Sequence, residues 1–176
     1  LSNNSASYTE KPDFNVFLKE WQALYASKSG ERGFFSRYAA QNKAAENGLR
    51  SDTIEYGCNP CSEIILRPEE FCNLSEVIVR STDTLEDLKR KVRIATIIGT
   101  LQSTLTDFAY LRSSWKRNCE EERLLGVSLT GIQDHAVLGT IDDYGWCELS
   151  QWLTEMKAVT RQANAEAADK LGINHS

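Results

Sequence analysis

The feature that most limits the fold is a long apolar stripe set between two short apolar runs. Leu85, Leu88, Val92, Ala95, Ile98, Leu101 and Leu105 recur three and four residues apart, the spacing of one helix face. Thr84, three residues ahead of Asp87, predicts a capping box where that helix begins. Glu86 with Arg90, and Asp87 with Lys91, predict i,i+4 ion pairs on its outer face. Residues 74–79 before the stripe form a short apolar run rich in β-branched side chains and 124–129 after it a second short apolar run, so strands are expected there. Strands alternating with long helices imply an α/β chain with mostly parallel pairing and only part of a sheet present.

The remaining elements fit that class. Asp13 is an expected N-cap, and Phe14, Phe17, Trp21 and Leu24 predict a helix running to about Ser27 and stopping before Gly30. Residues 29–33, with two glycines around Glu31 and Arg32, read as a loop. A weaker helix is expected over 36–46, ended by Asn47 and Gly48. A strand is expected over 64–66, a helix over 111–122 with Trp115 inward, and a short helix over 131–138. Leu149, Trp152, Met156, Val159, Ala163 and Leu171 predict a last long helix closed by Gly172, with a further strand beginning after it.

Composition narrows the function classes. A chain of 176 residues with 41% hydrophobic and 26% charged residues suits one globular domain. A net charge of −5 gives no basic footprint for nucleic acid. No apolar run reaches the roughly 18 residues of a membrane span and the first residues are polar, so a cytoplasmic protein is expected. The odd count of five cysteines, without a regular framework, points to reduced thiols. The chain opens on Leu1 and its single methionine is Met156, so it is expected to be an internal stretch of a longer protein.

Chemistry concentrates between Tyr56 and Val77. Cys58, Cys61 and Cys72 fall here, and Pro60 and Pro68 bracket the segment. If residues 59–66 are extended, Asn59, Cys61 and Glu63 share one face while Pro60 and Ser62 take the other. An amide, a thiol and a carboxylate would then converge, supplying a sulfur for covalent or radical chemistry, a base, and a hydrogen-bonding group to orient a hydroxyl. Pro60 cannot donate to a ladder, which places the thiol at an edge or in a loop near a tip.

Asn59-x-Cys61-x-Glu63, running into a strand and followed by Cys72-Asn73-Leu74, resembles the active-site finger loop of ribonucleotide reductase catalytic subunits. The stretches 1–5, 29–33, 120–132 and 172–176 resemble the same family, so the likeness covers essentially the whole chain. It is most similar to the adenosylcobalamin-dependent branch that reduces ribonucleoside triphosphates. The resemblance implies the central part of a ten-stranded α/β catalytic barrel over 1–176, incomplete, with the finger loop at about 57–66. It implies radical-based reduction of ribonucleotides to deoxyribonucleotides. Cys61 would be the transient thiyl radical, Glu63 the base and Asn59 a ligand of the substrate hydroxyls. The Pro60 and Ser62 backbone would line the sugar pocket. Cys72 would be half of a redox dithiol whose other cysteine lies outside this chain. The implied cofactor is adenosylcobalamin, the alternative being a radical supplied by a metal-containing small subunit. The implied partners are a ribonucleoside triphosphate or diphosphate and a thioredoxin-like reductant.

Rival readings remain at this point. Cys58-Asn59-Pro60-Cys61 is a Cys-x-x-Cys that could be a dithiol redox module or half a zinc site, although no second ligand pair accompanies it and no metal is expected. A noncatalytic α/β fragment is the other alternative. Cys72 could reach Cys61 if its strand lay antiparallel beside that of residues 64–66. Cys58, Cys119 and Cys147 read as bystanders, His135 and His175 as structural, and residues 120–122 as a solvated charge run.

Overall fold

The computed structural model describes residues 4–29, 32–46, 48, 50–139 and 146–176. Of the stretches singled out above, residues 1–3, Gly30, Glu31 and Asn47 lie outside the described residues. Where length suited one domain, the chain packs as two compact units, Leu1–Glu70 and Phe71–Ser176.

The first unit begins with β1 (Asn4–Tyr8), α1 (Phe14–Ser27), β2 (Arg32–Ser36) and α2 (Arg37–Ala45). β1 and β2 pair in parallel from Asn4↔Arg32 to Tyr8↔Ser36. Neither strand was expected: β1 is a polar Ser/Asn-rich stretch, and β2 begins inside the segment read as a loop. Both helix starts follow their caps. Asp13 Oδ1 accepts from Asn15 N at 2.8 Å and Ser36 Oγ from Ala39 N at 3.2 Å. The aromatic stripe of α1 stays uncovered by the described residues, with Phe14 71% exposed and no α1 residue buried. Phe17 meets Phe34 at 5.1 Å between ring centroids, and Trp21 stacks on Tyr25. The core of this unit is Ala40, Ala44 and the fully buried Tyr56, with Phe35, Ile54 and Ile65 against them. The unit ends with β3 (Gly57–Cys58) and β4 (Ile65–Leu66), an antiparallel pair.

The second unit contains β5 (Asn73–Ile78), α3 (Leu85–Gln102), α4 (Ser113–Glu122), β6 (Leu125–Thr130), a 3₁₀ turn at Ile132–Asp134 and α5 (Trp146–Leu171). β5 and β6 pair in parallel from Asn73↔Leu125 to Ile78↔Thr130, as the strand–helix–strand pattern predicts. Leu88, Val92 and Ala95 of α3 bury against Val77, Val79, Leu138 and Met156. Ion pairs Lys89–Glu155 and Arg93–Glu166 join α3 to α5 along the rim of this core. The three sheets have two strands each, and no barrel closes among the described residues.

The capping box at Thr84 forms in full: Thr84 Oγ1 accepts from Asp87 N, and Asp87 Oδ2 accepts from Thr84 N. The outer-face pairs differ from expectation by one residue. Glu86 pairs with Lys89 and Asp87 with Arg90 at i,i+3, because Lys91 turns back to the carboxylate of Asp83. The charge run 120–122 is solvated only in part, at the exposed Glu121. Glu122 is 6% exposed, and Glu120 accepts from Thr106 Oγ1 at 2.8 Å. Trp115 is half-buried and packs on Phe71 at 4.4 Å between rings.

Two predictions follow the packing. Gly131 has φ +77°, and a Cβ there would sit 2.7 Å from the Val79 carbonyl oxygen, whereas Gly172 has φ +66° with nothing within 4 Å. Gly131→Ala should therefore lower the denaturant midpoint clearly more than Gly172→Ala, whose cost is the roughly 1–2 kcal/mol of left-handed backbone alone. Equal losses would contradict the close approach.

The second is a pH dependence. The Lys91 ammonium holds the Asp83 carboxyl below its ordinary range, and the Thr84 hydroxyl does the same for Asp87. Both bind protons less readily folded than unfolded, so the stability they contribute is full above the ordinary Asp value of about 3.9 and is lost as pH falls below it. Urea midpoints should fall less steeply on acidification for the Asp83→Asn/Asp87→Asn double variant than for wild type. Parallel curves would remove these carboxylates from the account.

Candidate functional site

The segment that carries the chemistry is a hairpin tip, not an extended strand. Its ladder is short, Gly57↔Leu66 and Cys58↔Ile65, and residues 59–64 turn the chain between them. Ser62 N donates to Asn59 O at 3.0 Å, closing a four-residue turn with Pro60 second and Cys61 third. Asn59 N donates to Ile64 O at 3.3 Å below it. Ser62 takes φ +64° to rejoin the ladder. This corrects the alternating-face expectation for Asn59, Cys61 and Glu63. Asn-Pro is a turn-forming dipeptide, and the fixed φ of Pro60 suits the second position of a turn better than the start of a strand.

The turn nevertheless brings Asn59 and Glu63 together. The Asn59 carboxamide donates through Nδ2 to Glu63 Oε1, and its Oδ1 accepts from Ile64 N at 3.1 Å. Cys61 sits at the corner of the turn between them and is exposed. The Ser62 hydroxyl turns towards the half-buried Cys58, Oγ to Sγ 3.5 Å. Glu63 is exposed as well. An open cavity of ≈ 520 Å³ lies beside the tip, lined by Cys58, Asn59, Pro60 and Ser62, with Ser5 and Ser7 of β1 and Arg37 of α2 opposite. Neither Ser7 of β1 nor Arg37 was singled out in the sequence. Ser5 and Ser7 gave only the weak signal of hydroxyls two residues apart.

Cys72 stands half-buried one residue before β5, in the second unit. Its expected antiparallel neighbour is corrected: β4 pairs with β3, and β5 pairs in parallel with β6. The flanks of Cys72 are firmly held. Phe71 N donates to Cys119 Sγ at 3.3 Å, the Phe71 ring lies 5.3 Å from Phe108, and Asn73 donates through both N and Nδ2 to Leu124 O. Cys119 is thus a buried structural partner of the Phe71 backbone, whereas Cys147 is exposed on the first turn of α5. His135 is structural too. Its Nδ1 accepts from Val137 N and Leu138 N, which leaves Nε2 to donate to Asp83 O at 2.9 Å. Among the described residues no group of three or more His, Cys, Asp or Glu could hold a metal ion, and no helix is long and apolar enough to cross a membrane.

A mixed α/β chain presenting a thiol between a hydrogen-bonded amide and carboxylate has the donor set of a covalent or radical site. No protein-family model and no solved structure matches the chain. Over 153 residues it is 30% identical to an adenosylcobalamin-dependent ribonucleoside-triphosphate reductase of Euglena gracilis, a match covering 84% of this chain. The chain spans about a fifth of the length of that curated relative, 20%. This is weak homology to a ribonucleotide reductase over one stretch of it.

Exposure ranks the thiols. Under native conditions a small disulfide reagent should modify Cys61 and Cys147 first and Cys119 only on unfolding. Cys61 labelling as slowly as Cys119 would remove it from the exposed tip.

Proposed function

We propose that this chain is the finger-loop portion of a ribonucleotide reductase catalytic barrel, its two parallel strand pairs belonging to a larger barrel. The observation that carries the reading is the Asn59–Glu63 hydrogen bond on either side of the exposed Cys61, within a stretch 30% identical to a ribonucleoside-triphosphate reductase. In this reading the Cys61 thiyl radical takes the 3′-hydrogen of the ribose. A thiol suits the step because its S–H bond is weak enough to exchange a hydrogen atom with a carbon that bears oxygen. Glu63 takes the 3′-hydroxyl proton, and the 2′-hydroxyl leaves as water. Asn59 holds the substrate hydroxyls while keeping Glu63 in place.

Two electrons and two protons then come from Cys72 and a partner cysteine outside this chain, which end as a disulfide. Cys61 returns a hydrogen atom to the 3′-carbon, and a thioredoxin-like protein re-reduces the disulfide. Adenosylcobalamin, when bound, supplies the radical that takes the hydrogen atom of the Cys61 thiol. The exposure of that sulfur fits such delivery. The likeness to the cobalamin-dependent relative favours this source, and a triphosphate substrate, over a metal-containing small subunit.

In the longer reductase polypeptide carrying this chain, Cys61→Ser should abolish reduction. Cys72→Ser should keep exchange of the substrate 3′-hydrogen but lose multiple turnover. Glu63→Gln should lower kcat by about 10²–10⁴-fold with little change in nucleotide binding, the usual worth of a general base. Ser62→Ala, whose hydroxyl faces Cys58, should cost far less. Steady-state kinetics with a 3′-tritiated substrate separates these outcomes. Full 3′-exchange by Cys61→Ser, or equal losses in Ser62→Ala and Glu63→Gln, would sink the assignment.

A further inference from the structure

A ladder of two residue pairs does not hold a hairpin in water by itself. Side chains anchor this one at main-chain carbonyls on both legs. Arg37 Nε donates to Tyr56 O at 3.0 Å, Gln41 Nε2 to Ile54 O at 3.0 Å, and Arg50 Nη1 to Ile65 O at 2.9 Å. The first two donors come from one helix face. Four residues of α-helix rise about 6 Å, so Arg37 and Gln41 stand one turn apart. They meet carbonyls two residues apart in antiparallel order, the earlier donor on the later carbonyl.

The space between these bonds is filled as well. Ala40 and Ala44 of α2 pack with the fully buried Tyr56, so the stem is fixed laterally by a ring in a core and axially by two hydrogen bonds. Tyr56 is followed at once by β3 and the tip. Arg37 also lines the cavity beside Cys58, Asn59, Pro60 and Ser62. Its pair with Glu55 is long, 3.8 Å, and Glu55 is 77% exposed, so the hydrogen bond to Tyr56 O and not the ion pair is the stronger tie.

We propose that Arg37 and Gln41 are positioning residues for the tip, holding through the 54–56 stem the place at which Asn59, Cys61 and Glu63 meet a ligand. This rests on the reading of those three as the reacting groups. Neither donor acts on the ligand in this account. Each satisfies a carbonyl that would otherwise loosen the stem towards water, and the tip moves with the stem.

Hydrogen–deuterium exchange of the tip amides tests the hold without any need for activity. Asn59 N, Ser62 N and Ile64 N are the donors that close the tip. In the Arg37→Met/Gln41→Met variant of the 176-residue chain their exchange should accelerate by about 2- to 10-fold per lost bond, with α1 amides unchanged. Glu55→Gln should exchange like wild type, and Arg37→Lys should recover part of the protection. Unchanged tip exchange in the double variant, or equal acceleration in α1, overturns the proposal. If that variant does not fold, Gln41→Met alone carries the same comparison, since it leaves the Arg37 bond intact. In the longer reductase the double variant should lower kcat while KM stays within about twofold; a rise in KM alone would assign the pair to binding instead. Absence of ribonucleotide reduction by the wild-type enzyme would sink the proposed reaction and leave the exchange result to decide the positioning.

Discussion

The carboxamide of Asn59 is engaged at both ends, its oxygen by the Ile64 amide and its nitrogen by the Glu63 carboxylate, and the tip depends on that double use. A turn of this size has few backbone bonds, here Ser62 N to Asn59 O and Asn59 N to Ile64 O. The side chain adds a link across the base of the loop and aims the carboxylate with it. An alanine would lose both functions, and an aspartate would keep the acceptor while placing a second negative charge against Glu63. The same residue is thus a structural clasp and a candidate ligand of hydroxyls, so its substitution cannot be read as a loss of binding alone.

The second unit answers a different constraint. A parallel strand pair needs a crossover and cover on its faces, and α3 and α5 provide cover on one side through Leu88, Val92, Ala95 and Met156. Among the described residues this sheet has two strands. Leu74 and Ile78 of β5 remain half exposed at 53% and 52%, and Ile94 and Ile98 of α3 remain exposed beside them. Buried polar groups tie down the end of the chain: Asn164 donates to Thr100 Oγ1 and accepts from Ser176 N, while Ser176 Oγ accepts from Leu125 N. The residues after α5 therefore run back to the start of β6.

Periodicity made the helices legible. Asp13 and Thr84 cap where their side chains predicted, Ser36 caps the helix expected to begin at it, and β5 lies where β-branched residues cluster. What escaped has physical causes. β1 is polar because its pairing with β2, not a buried face, makes it a strand, so no alternation betrays it. Ion pairs on α3 shifted by one residue because Asp83, outside the helix, competes for Lys91. At the candidate site, Asn59 and Glu63 do come together, through a turn and not through the alternation of a strand. Apolar Ile64, Ile65 and Leu66 follow Asn59-Pro60 and read as strand, but the proline and the Asn59 side chain stabilise a turn first.

That difference changes what the site has to do. On an extended strand, three side chains on one face would be brought together by the pleat, and a neighbouring sheet could dry them. On a turn, the amide and carboxylate are locked to each other while Cys61 and Glu63 stay in contact with water. In the proposed reaction, water at the exposed carboxylate would weaken it as a base, and the sulfur, open to its radical source, would as a radical also meet other hydrogen donors. If the tip acts as proposed, drying comes from what closes over it and not from the 57–66 segment itself. A rigid stem beneath a solvent-facing tip suits that division, since the fold below sets position and whatever occupies the cavity above sets the dielectric.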